Sequence, residues 1–144
     1  MSQSEPTFYK QLNQMYLRAP INQSFKPELT ISKGSSKLTV AINKNHFHSA
    51  HYVHGAVIFK LLDDSAFFAA QSLEHTYFVV TSSFTSYFIR PVNKGHLIAT
   101  GTIISQTKTR IIAESIVKDE NEKIIAKGSG VFANSRTPLD SLLT

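Results

Sequence analysis

Between Gly55 and about Leu73 the chain reads GAVIFKLLDDSAFFAAQSL, with no proline, no interior glycine and an excess of alanine, leucine and phenylalanine. It is the one stretch that predicts a long helix, and that helix is mostly apolar. Such a helix has to be covered around most of its circumference. The sequence after it offers the cover: YFVVTSSFTSYFIRP, HLIATGTIISQT and RIIAESIVKDENEKIIAKGSGVF are β-rich, with turns signalled at Pro91 to Gly95, Thr107 to Thr109 and Asp119 to Glu122. Long strands joined by short turns predict consecutive antiparallel neighbours. Upstream, Leu29 to Ser32 and Lys37 to Ile42 read as a hairpin around Gly34-Ser35. Pro6 to Arg18 predicts a short helix with Phe8, Leu12, Met15 and Tyr16 on one side, closed by Pro20. The expected fold is α+β: about five or six antiparallel strands wrapped around one central helix, residues 55–73, with a short N-terminal helix, residues 6–18. The 144 residues form one domain on this reading, with no repeat or linker.

Composition removes several function classes. There is no cysteine, so disulfide frameworks and thiolate zinc sites are excluded. The net charge of +5 is spread without a block of like charges, which argues against a nucleic-acid partner and suits a small anionic ligand. No apolar run approaches the roughly 20 residues that span a bilayer, and no signal-like start is present, so a cytoplasmic protein without a membrane partner is expected.

Two adjacent carboxylates separate on a helical wheel at 100° per residue. Lys60, Asp64 and Gln71 share one narrow polar stripe. Asp63 falls a quarter-turn away, among Phe59, Ala66 and Ala70, where an unpaired carboxylate is costly to bury. Just ahead of the helix, HFHSAHYVHGA places His46, His48, His51 and His54 within nine residues. Several imidazoles on one loop can gather around zinc, but the spacing is not that of a known ligand set and no carboxylate lies inside the cluster. No metal is expected.

HGAVIFKLLDDSA resembles the helix-opening motif of hotdog-fold acyl-CoA thioesterases of the phenylacetyl-CoA type, in which a His-Gly-Gly opens the central helix and the catalytic acid lies nine residues after the His. Nine residues after His54 is Asp63. The family's next segment, roughly Thr-x-x-x-x-x-Tyr-x-x-Arg-Pro with a later Gly, is similar to TSSFTSYFIRPVNKG, Thr81 to Gly95. The likeness extends weakly to Phe132. Ala56 stands where the second Gly is usual, and His48 where relatives often carry Asn.

Thioester hydrolysis requires a base or nucleophile at the carbonyl carbon and donors for the developing oxyanion. Asp63 is the candidate base or nucleophile. Gly55, at the helix start, offers a free backbone N–H and the positive end of the helix dipole; the alternative is a plain turn-to-helix glycine. The resemblance implies a water- or carbonyl-orienting role for His48, a loop-holding role for His54 and a hydrogen bond from Thr81 to the acid or its water. His46 and His51 match nothing functional. Ala56 borders the substrate path, Phe59 and Phe67 are candidates for an apolar acyl tunnel, and Arg90, Lys94, Lys108 and Arg110 cluster at turns where coenzyme A phosphates could meet them. Gly55 and Asp63 are separated by about 12 Å along one helix, beyond the reach of one reacting carbon. If both are catalytic they come from different subunits of an obligatory homodimer, which could pair further into a homotetramer; the resemblance implies the same. No cofactor is expected, coenzyme A being part of the substrate. Two alternatives are a non-catalytic acyl-CoA binding module and a hotdog-type hydratase or dehydratase. The latter needs a catalytic His in a Pro- and Gly-rich loop, and the histidine-rich loop here lacks proline.

Overall fold

The computed structural model describes residues 4–144. Helix α1 (Glu5–Arg18) buries Phe8, Leu12 and Tyr16, a spacing of four that lines one face. Pro6 sits in its first turn, where no N–H is needed, and Arg18 in its last turn faces the negative end of the dipole. The hairpin β1 (Glu28–Ser32) and β2 (Ser35–Ala41) follows, turning through Gly34 at φ 72°. Helix α2 (Gly55–Gln71) is next, and four long strands complete the chain: β3 (Tyr77–Phe88), β4 (His96–Gln106), β5 (Arg110–Lys118) and β6 (Ile124–Pro138). Among the described residues no helix is long and apolar enough to cross a membrane.

All six strands form one antiparallel sheet in the order β1-β2-β4-β5-β6-β3, and α2 touches every one of them. This is the hotdog architecture. Leu61, Leu62, Ala66, Ala69 and Ala70 of α2 are all but inaccessible, packed with Leu38, Leu97 and Phe132 of the sheet among others.

One expectation is corrected. The run β4-β5-β6 does pair consecutively, but β3 does not neighbour β4; it pairs with β6 at the far edge. The link between them is too long for a hairpin and carries Pro91, which has no N–H to offer a ladder. It crosses the end of the sheet instead. Ile89 and Arg90 N–H donate to Ile125 O, Val53 N–H donates to Val92 O, and Ile42 N–H donates to Gly95 O, so the segment passes from the β6 side to the β2 side. The edges of the sheet are consequently β1 and β3, and α1 packs beside β1.

A second correction concerns the polar stripe on α2. Gln71 is fully buried: its amide donates to Glu74 O and Tyr77 O and accepts from Val79 N–H, so it stitches the helix end to the start of β3. That use of the side chain ends the helix at Gln71 rather than at Leu73.

At Gly101 of β4 the sheet lies so near the helix that a Cβ would overlap the backbone carbonyl of Ser65. The obstruction is main chain, which cannot rotate aside. Gly101→Ala should therefore lower stability by about 3 kcal/mol, read as a fall in the urea midpoint with little change in slope.

Candidate active site

His54 caps α2, its Nδ1 accepting the Ala56 N–H at 2.8 Å, which fixes the loop onto the first turn. The preceding loop is a tight excursion: Phe47 and Val53 form an isolated bridge, His48 N–H donates to Tyr52 O, His54 N–H donates to His46 O, and His51 takes φ 66° at the turn. The four imidazoles do not converge. His46 stacks on Phe25 with ring centroids 4.8 Å apart, and His48 Nδ1 is occupied by Ala50 N–H. No group of three potential metal ligands gathers among the described residues.

Eight residues along α2, Asp63 is half-buried and accepts a hydrogen bond from the Thr81 hydroxyl of β3 at 2.7 Å. Burial pushes its carboxyl above the usual carboxylate range; the Thr81 bond opposes the rise, Asp64 adds to it and Lys60 opposes it. Asp64, on the polar stripe with Lys60, is also half-buried. Its Oδ2 receives both Lys60 Nζ and the Tyr16 hydroxyl at 2.5 Å. Burial and then Asp64 raise the Tyr16 hydroxyl, which keeps it a donor. Lys60 lies 5.3 Å from the Tyr16 ring centroid and 5.4 Å from that of Phe25.

These groups share a cleft of about 320 Å³ between α1 and β3, floored by α2 and walled by Phe67, Phe78 and Val80. Gly55 belongs to a separate hollow of about 260 Å³, which it lines with His48, Tyr52, Phe88 and Arg90. The two have no residue in common. A Cβ on Gly55 would meet only the Phe88 ring at 3.7 Å, an ordinary contact, and its φ is not in the left-handed region. Neither packing nor backbone conformation within the chain demands glycine there.

The remaining expected residues scatter. Phe67 walls the Asp63 cleft, whereas Phe59 sits outside both hollows with its ring edge-on to Phe84, and Ala56 is exposed beside the helix start. The expected cationic cluster does not form in one chain. Arg90 and Lys94 lie at the end of the sheet where β4 begins, Lys108 and Arg110 at the end where it finishes, and eleven residues of strand separate the ends by about 35 Å. Tyr16, Lys60 and Asp64 were not expected in the cleft. The Lys60/Asp64 spacing of four was a visible signal; the approach of Tyr16 was not.

The model of the thioesterase superfamily matches residues 50–126, just over half of the chain. The chain belongs to the thioesterase superfamily. The matched span holds the second half of the histidine-rich loop, α2 and the Asp63–Thr81 pair, and leaves out α1, the β1-β2 hairpin and all but the first three residues of β6. A relative from Saccharolobus solfataricus, named as a proposed esterase, is 23% identical over 113 residues, covering 78% of this chain and 81% of its own. Among solved structures, the Escherichia coli PaaI protein of the phenylacetic acid degradation operon superposes with a TM-score of 0.85 at 19% identity, over 94% of this chain and 99% of that one. A variant of a Staphylococcus aureus thioesterase gives 0.76 at 16% identity, over 80% and 98%. At these identities the structural likeness shows the fold.

The raised carboxyl of Asp63 has a consequence for stability. In the folded chain it holds its proton to higher pH than in the unfolded chain, so stability falls as pH rises from the ordinary Asp value of about 4 through the raised one. Asp63→Asn keeps an acceptor for Thr81 and removes the buried charge. Its thermal midpoint should exceed that of the wild type at pH 7, and the difference should vanish below about pH 4.

Proposed function

We propose that this protein is an acyl-CoA thioesterase acting as a homodimer, with Asp63 of one subunit as general base or nucleophile and the Gly55 N–H of the other as oxyanion donor. The observation that carries the reading is the Asp63–Thr81 pair, an acid of raised basicity in an apolar cleft of a thioesterase-superfamily chain. Water and thioester give free acid and coenzyme A, so no cofactor enters. Thr81 fixes one carboxylate oxygen and leaves the other to take a proton from water or to attack the carbonyl carbon.

The separation of the two hollows supports a shared site. Gly55 and Asp63 open into different concavities of one chain, about 12 Å apart along α2. A second copy related by a two-fold axis brings its helix start to the first copy's acid and creates two equivalent sites. β3 supports such a pairing: it is a twelve-residue edge strand, with Tyr87 and Phe88 exposed. His48 lies in the Gly55 hollow, placed to orient water or the carbonyl, and Arg90 beside it is placed to meet a coenzyme A phosphate. Dimers pairing further into a homotetramer are compatible with this arrangement. The operon context in the name of the Escherichia coli protein makes aromatic acyl-CoA a natural member of the substrate panel.

Purified protein should release free thiol from acyl-CoA, and Asp63→Asn should lower kcat/KM by about 100-fold or more. Retained ligand binding with no turnover by the wild type would point to a binding module instead. Mixing inactive Asp63→Asn subunits with inactive Gly55→Val subunits should restore about one competent site per mixed dimer; a Cβ at Gly55 makes only an ordinary contact with the Phe88 ring, and thermal melts check that the variant folds. Absence of rescue despite measured subunit exchange would rule out the shared site.

A further inference from the structure

The Asp63 cleft does not end at α1. Met15, Ala19, Phe78 and Val80 also line a second, larger hollow of about 550 Å³, whose far wall is Ser135, Thr137 and Leu142. The four shared residues border both hollows, so the two adjoin along largely apolar walls. At one end stand Asp63 and Thr81; at the other, Arg18 donates to Leu142 O and the groove opens to solvent. Its walls come from α1, the first residues of β3 and the chain from the end of β6 onward. Apart from β3, these segments lie outside the span that matches the superfamily.

Resting on the thioesterase reading, we propose that the two adjoining hollows form one groove, that this groove is the acyl-chain site and that it selects linear saturated acyl groups of about ten carbons. The length follows from register. Tyr77 of β3 pairs with Pro138, so the groove's far wall lies level with the start of β3, four residues from Thr81 and about 13 Å away. An extended chain advances about 1.2 Å per bond, since three backbone bonds span about 3.5 Å, so about ten or eleven bonds reach from the acid to the open end. The thioester carbonyl lies at Asp63, and successive methylenes pass between Ala19 of α1 and Val80 of β3. Shape favours a flexible chain over an aromatic ring, because the route is a slot between a helix and a strand edge and is open at its far end. Beside the acid, Lys60 and Asp64 are paired with each other, and at the open end Arg18 donates to Leu142 O, so the stretch between them is walled by apolar side chains.

The test is a chain-length series of saturated acyl-CoA substrates, with phenylacetyl-CoA alongside. For the wild type, kcat/KM should climb by up to about fourfold for each added methylene and level off near ten carbons. Ala19→Trp closes the slot from α1 and Val80→Trp closes it from β3. Either should lower the ratio of decanoyl-CoA to butyryl-CoA kcat/KM by at least about tenfold. Using two independent walls guards against one variant failing to fold, and thermal melts identify such a failure. A flat wild-type series, a preference for phenylacetyl-CoA over decanoyl-CoA, or an unchanged ratio in both folded variants would overturn the groove while leaving the thioesterase reading intact. Wild-type protein that hydrolyses no member of the series would instead overturn the reading on which the groove rests. Calorimetric binding to Asp63→Asn adds a readout independent of turnover: decanoyl-CoA should bind more tightly than butyryl-CoA, and equal affinities would count against the groove.

Discussion

The contact between Ser65 of α2 and Gly101 of β4 fixes where every other face of the central helix points. With no side chain at Gly101 the strand lies directly against the helix backbone, and Ser36 of β2 donates to Ser65 O at 2.5 Å, tying a second strand to the same point. At 100° per residue, Asp63 and Phe67 are each 200° from Ser65 and so face away from the middle of the sheet. That is the side on which the curled sheet runs out, between its edges β1 and β3. A helix held less closely at Ser65 could rotate and turn its carboxylates into the sheet, where nothing would offset their desolvation. The opening in the wrap is thus the place where a charged group on α2 is tolerated.

The wrapped helix itself was legible in the sequence because it depends on periodicity and length, and both are local. Strand existence was legible for the same reason. Strand order was not: the position of β3 beside β6 depends on how residues 89–95 cross the sheet end, and their turn chemistry signals only that the chain changes direction. Within the candidate site, the wheel separated Asp63 from Asp64 but misjudged the environment of the second. The wheel gives an angle, whereas burial depends on what covers that angle, and Asp64 is covered by Tyr16, 48 residues distant. Gln71 was misread for a related reason. A polar residue near a helix end looks solvated until the following strand folds back and engages both its amide hydrogens and its carbonyl oxygen. The four cations looked like one cluster because turns recur in the sequence at short intervals, although successive turns of a long-stranded sheet alternate between its two ends.

Division of labour between the neighbouring carboxylates is the feature that makes the cleft chemically suited to a base. Lys60 is three residues from Asp63 and four from Asp64, so either acid could compete for it. Were Lys60 paired with Asp63, its charge would pull that carboxyl down and spend the basicity that burial confers. Lys60 Nζ bonds Asp64, and the Tyr16 hydroxyl donates to the same oxygen. Asp63 is left with one neutral donor, Thr81, and a raised carboxyl. Tyr16 belongs to α1, outside the superfamily-matched span, so the segment that walls the cleft also sets its electrostatics. Phe68 holds the tyrosine in place, edge to face with ring centroids 5.0 Å apart, and Phe68 lies on α2 one turn beyond Asp64. Docking of α1 and the surroundings of the two carboxylates are therefore coupled through Tyr16, which bonds Asp64 and packs on Phe68.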